Sequence, residues 1–326
     1  MQFRSFVFAA ATVIAGTGPA LAQSGPSFWA YEWPDTDFSQ TSVDFIEILS
    51  GGPPKDGIPA LDGAQFIRAN TVEGIGAREP VVTVELDGHE PRSYPIRYLT
   101  WHEIVNDRIG DIPVTVTFCP LCNSAIVFDG RTAAGDLTFG VSGKLRHSDM
   151  IMYDRQTESW WQQFTGEVIV GELLGTTLTI LPAWMESFAD YVARNPEGLV
   201  MAEPIASRPY GANPYQGYDG AARPFLYNGE MPPHGIAPLS RVVRVGATAW
   251  PLARLRDAGE LTEAGLRITW HAGQASALDS RTIAEGRDIG TIRVFDAASG
   301  RPVAHEVVFA FAFHAFEPDG VWRIDG

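Results

Sequence analysis

Cys119 and Cys122 are the only cysteines of the 326-residue chain, and only Pro120 and Leu121 separate them. Thiols at this spacing exchange disulfides, hold a metal ion, or staple a turn. Exchange needs a lowered thiolate pKa, which a helix N-terminus behind the first cysteine usually supplies. Here the following residues, Asn-Ser-Ala-Ile-Val-Phe-Asp-Gly, read as strand and turn, so that device is missing. A Cys-Pro-Leu-Cys turn between two strands looks instead like a metal-binding knuckle, whose backbone N–H groups face the sulfurs. A closed zinc site takes four ligands and no second cysteine pair exists, whereas Cu(I) accepts two thiolates with soft partners. The sequence therefore favours Cu(I), with Zn2+ as the other option. A disulfide closing so short a loop gains little from chain entropy. A thiol–disulfide oxidoreductase, or a structural or carbohydrate-contacting protein with a passive disulfide, are the competing readings.

Further donors lie elsewhere. Met150 and Met152 sit in His-Ser-Asp-Met-Ile-Met-Tyr-Asp, and His102, His147 and His271 complete the list of weaker ligand candidates. Two methionines on one strand face are more often a packing pattern, and His102 beside Glu103 is more often a helix-surface or capping pair. Asp149, Asp154, Arg155 and Glu158 crowd one short stretch. They are the catalytic candidates for a carboxylate-dependent hydrolase, or else a solvated turn with an ion pair. Trp160 and Trp161 could stack on a sugar, but neighbours on a strand point to opposite faces, which predicts one of them in the core. No nucleophile elbow, zinc-protease helix, phosphate loop or dinucleotide fingerprint is present.

These residues need a scaffold, and the patterning predicts one that is mostly β with a few short helices. Alternation flanks Asp87-Gly88, a strong hairpin signal, and Pro113–Phe118 and Ser124–Phe128 alternate on either side of the cysteines. Thr100 followed by Glu103 predicts a capping box that opens a short helix. Trp184–Gly198 predicts the clearest helix, with Trp184, Phe188 and Val192 on one face. Residues 207–240 are dense in Gly, Pro, Asn and Tyr and predict a long ordered loop. The order of features in Val81–Cys119 returns in Arg241–His271: β-rich opening, aromatic-Pro-aliphatic step, short helix, alternating strand. Two related β-rich halves, 41–206 and 241–326, with barrel-like closure as one arrangement, follow from that echo. Cys119 then aligns with His271 and Cys122 with Gln274.

Residues 1–22 carry a basic start, an apolar run and an Ala-Leu-Ala end, the pattern of a secretory signal peptide cleaved after Ala22. Residues 23–40 read as a loose lead-in. A periplasmic or secreted location follows, and no later stretch is apolar enough to span a bilayer. A net charge of −15 argues against nucleic acid and leaves a metal ion or small molecule as partner. Oligomeric state is not legible in the sequence.

Several stretches together resemble one family, the bacterial secreted proteins grouped as domain of unknown function (DUF) 3179. They are Ser-Gly-Gly-Pro-Pro-Lys-Asp-Gly-Ile-Pro-Ala-Leu-Asp at 50–62, the run at 94–107, Val-Thr-Phe-Cys-Pro-Leu-Cys-Asn-Ser-Ala-Ile-Val-Phe-Asp at 116–129, the run at 139–167, and Asn-Pro-Tyr-Gln-Gly-Tyr-Asp at 213–219. The resemblance implies no established activity. Its members often carry Asn where this chain has His147, which weakens His147 as a shared ligand.

Overall fold

The structure, a computed structural model, describes residues 26–325. The signal-peptide reading of residues 1–22 therefore lies outside the described residues. The protein is mostly β, and five small sheets form a ring in the manner of a five-bladed β-propeller. A single barrel is not what forms, because each sheet keeps its own edge strands.

Two sheets share one design. In the first, Pro80–Val84 pairs antiparallel with Arg92–Pro95, and the helix Ile96–His102 then leads to the hairpin Ile104–Ile109/Ile112–Cys119 in the next sheet. In the second, Arg241–Val245 pairs with Thr248–Pro251, and the helix Leu252–Ala258 leads to the hairpin Glu260–Glu263/Leu266–His271. The flanks match as well. Ala183–Ser187 lies antiparallel to Pro80–Val84, and after the helix Phe188–Arg194 the strand Leu199–Met201 runs parallel to Arg92–Pro95. Glu306–Phe309, the helix Ala310–Phe316 and Val321–Trp322 take the same places beside Arg241–Val245 and Thr248–Pro251.

The fifth sheet follows neither pattern. It is built from Ile48–Ser50, Phe139–Arg146, Asp149–Asp154, Trp160–Gln162 and Glu167–Val170, so most of it is chain inserted between Ser124–Asp129 and Ala183–Ser187. Both of its faces are covered. Trp161 packs into the central core, and Trp160 into a second cluster with Trp29 and Trp33. Both tryptophans are buried, where the sequence led us to expect one, because the segment from Trp29 to Phe45 caps the outer face. Trp29 and Trp33 of that segment are buried in the second cluster.

Two helix boundaries differ from expectation. Thr100 is not an N-cap: the helix starts behind Pro95, whose fixed φ suits that place, and Glu103 ends it. The stretch beginning at Trp184 is a strand through Ser187, whose hydroxyl accepts from the Asp190 N–H and opens the helix Phe188–Arg194. Pairing of Ala183–Ser187 with Pro80–Val84 overrides the helical spacing. Residues 207–240 are irregular apart from a short 3-10 turn at Tyr218–Gly220 and an isolated bridge at Ala212.

Candidate metal centre

The two cysteines stand where three sheets meet. Cys119 ends the strand Ile112–Cys119 and pairs with Ser124, the first residue of the returning strand. Between them Asn123 takes a positive φ of 53°, which its short polar side chain tolerates, and its N–H donates to Pro120 O at 3.2 Å. Asn123 Nδ2 donates to Val307 O, and the Phe309 N–H donates to Cys122 O at 2.9 Å, tying the turn to a second sheet. From the third side comes the hairpin that joins Phe139–Arg146 to Asp149–Asp154. Its two-residue loop, His147-Ser148, has φ of 52° and 65°, both positive as a type I′ turn requires.

Ser148 places its carbonyl 3.6 Å from Cys122 Sγ and 4.0 Å from Cys119 Sγ. Asp149, next along, completes the group: one ligand atom each from Cys119, Cys122 and Asp149 all lie within 4.8 Å of one another, and all three residues are buried. Asp149 Oδ2 accepts from Gln162 Nε2 at 2.7 Å and from the Phe164 N–H at 3.0 Å. Its Oδ1 is buried with no N–H or O–H donor, and the Cys119 and Cys122 thiols bond to the same carboxyl. An oxygen so placed costs free energy unless something fills its lone pairs.

Electrostatics point the same way. Burial pushes both thiols up, Cys122 well above its ordinary range, and neighbouring Asp149 adds to the effect. Burial likewise raises the Asp149 carboxyl to about 6 and that of nearby Glu103 to about 7. Among the described residues, no Lys or Arg forms an ion pair with either carboxylate. Three acidic groups packed into a dry site cannot all ionise without a cation between them. The donors fit a metal: two sulfurs, a carboxylate oxygen without an N–H or O–H donor, and a carbonyl at the edge.

The other sequence candidates go elsewhere. His102 has both ring nitrogens engaged, Nδ1 at 2.8 Å from Pro59 O and Nε2 at 2.7 Å from the Tyr210 hydroxyl, so it has no lone pair to offer. Met150 lines a neighbouring cavity, whereas Met152 is core, paired with Val141 and Trp161. His271 ends its own strand as Cys119 does, but it is half exposed and contacts Asp190 at 3.1 Å. His147 stands beside Glu47 and the Phe316 ring. The expected carboxylate cluster splits. Asp149 joins the cysteines, while Asp154 sits five residues along the strand, about 16 Å at ordinary strand rise. There Asp154 accepts from Thr157 and from Trp161 Nε1, which makes it a turn residue. Arg155 pairs with Asp62, and Glu158 with Lys55.

In the sequence Glu103 stands out only as the neighbour of His102, in a helix-surface pair or a polar stretch that would converge on the cysteines. It lines, with Met150 and Leu121, a cavity of about 570 Å3 beside the cysteine turn. Its backbone carries the signal. At φ 59° and ψ −32° it lies outside even the small left-handed region that side chains tolerate, and the residue that ends the helix Leu252–Ala258 in the same way is Gly259, at φ 72° and ψ −46°.

Fold and site together define a mostly β protein with a buried Cys–Cys–Asp group at the meeting of three sheets. The chain belongs to the family described as protein of unknown function (DUF3179), whose model matches residues 55–320. Among curated proteins and solved structures nothing matches.

Proposed function

We propose that this is an exported protein that binds a metal ion through Cys119, Cys122 and Asp149. The observation that carries the reading is the Asp149 Oδ1, without an N–H or O–H donor, beside two buried thiols. Two thiolates alone suit Cu(I). A carboxylate oxygen moves the donor set toward a borderline divalent ion, and two thiolates with one carboxylate are donors that zinc accepts. Zn2+ is therefore the better fit to this geometry, with Cu(I) the alternative favoured by the thiols. Dithiol exchange is poorly served, because burial raises both thiol pKa values and no helix begins behind Cys119.

The matched strand orders of the two runs support descent from one duplicated unit. In that reading the second copy, with His271 and Gln274 in place of the cysteines, kept the scaffold and has no dithiol.

The test is metal content and free-thiol count on protein purified anaerobically, followed by titration with Zn2+ and with Cu(I). One equivalent bound, lost in Cys119→Ser/Cys122→Ser, is expected. Asp149→Asn should weaken Zn2+ roughly tenfold or more while changing Cu(I) less. Metal-free protein with both cysteines oxidised, or binding that survives the double serine variant, would overturn the proposal.

A further inference from the structure

We infer that the cavity beside the cysteine turn binds a small organic cation, an amine on an apolar body, with its nitrogen on Glu103. The inference does not require the metal reading, since Glu103 stands outside the Cys–Cys–Asp group.

The cavity, about 570 Å3, has room for a molecule of several carbon atoms, and its wall is largely apolar, with Ile58, Val141 and Leu145 among the lining side chains. Tyr215, Tyr218 and Phe225 add aromatic rings, the surface on which cations are favourably received. Glu103 faces this space yet is only 7 % exposed. Among the described residues, its carboxylate accepts only one bond, a long one of 3.4 Å from the Tyr215 hydroxyl. The wall's one basic residue, Lys144, is already committed to Glu32 at 2.9 Å. What remains free is acceptor capacity in a negative surrounding, where Asp149 also contributes. A cationic donor satisfies that, and an anion does not.

The backbone argues that Glu103 is there for what its side chain does. A residue with a Cβ is strained at this φ and ψ, and the helix Leu252–Ala258 ends in the same way with Gly259. A merely structural corner has no need of glutamate.

The experiment is calorimetric titration of the full chain with hexylamine, hexanol and hexanoate, three probes of one length and different head charge. Parallel titrations use Glu103→Gln, Glu103→Gly and Cys119→Ser/Cys122→Ser. Hexylamine should bind most tightly, and either Glu103 substitution should cost at least about tenfold in its affinity, with hexanol little changed. Glu103→Gly should also unfold at a higher temperature than the wild type, so its lost binding cannot be a folding defect. Hexylamine binding that persists in the double serine variant keeps this inference apart from the metal site. Equal affinity for hexanoate, or undiminished amine binding without Glu103, would overturn it.

Discussion

Glu103 shows what a single residue can disclose. At φ 59° its side chain is kept against backbone preference, and its carboxyl is kept in a site where burial raises the pKa to about 7. Both costs vanish in Glu103→Gly, which should stabilise the protein by about 1 kcal/mol at neutral pH. Denaturant unfolding measures this, and a less stable variant would mean that the carboxylate supports the fold. Asp149 is the converse case. Its Oδ2 is anchored by Gln162 and the Phe164 N–H, so Asp149→Asn keeps that end and alters the one without an N–H or O–H donor. The lost function should therefore appear in metal affinity and not in stability.

At the scale of elements, the strand Phe139–Arg146 carries the demand that shapes the cavity wall. Its pairing with Asp149–Asp154 shifts register between Val141 and Lys144, and Gly143 within that irregularity has φ 72°. A Cβ there would stand 2.0 Å from Pro53 O, which is backbone and cannot turn aside. Gly143→Ala should cost roughly 3 kcal/mol, read as a lower denaturation midpoint with unchanged slope. Such close approaches leave no periodic trace. What period and turn chemistry could reveal was legible: the strands flanking Cys119 and Cys122 and the Asp87-Gly88 hairpin. Where partners outvote spacing, the sequence misled. Trp184 has helical neighbours at Phe188 and Val192 but pairs across a sheet, and Pro95 starts a helix five residues ahead of the capping box. The site was half legible. Spacing exposed the cysteines, whereas choosing Asp149 from among Asp154 and Glu158, and discarding His102, needed the contacts that only folding supplies.

For the molecule as a whole, the pH profile carries a signature far from the site. His305 is buried between strands, with Nδ1 2.8 Å from Val303 O, and burial lowers its pKa to about 4. Between an unfolded value near 6.5 and that folded value, the unfolded chain holds a proton the folded chain refuses. Stability therefore falls as pH drops from about 6.5 to about 4 and the loss then levels off, at roughly 3 kcal/mol in full. Glu103 and Asp149 act oppositely, because raised carboxyl values favour the folded state as pH falls from about 7 toward 4.5. Stability curves of wild type and His305→Gln separate the two: the variant should lose the acid-side decline, and parallel curves would refute the assignment.

The meeting of three sheets at the cysteine turn also has a kinetic meaning. Cys119 and Cys122 belong to one sheet, Asp149 to another, and Phe309 and Val307 of a third close over the turn. No donor of the group is open to solvent, so an ion held there departs only when the sheets part. Extraction by a strong chelator should then proceed at a rate independent of chelator concentration, set by the opening of that seam. The protein would behave as a vault for its ion: slow to load, slow to surrender, and indifferent to brief changes in the supply outside.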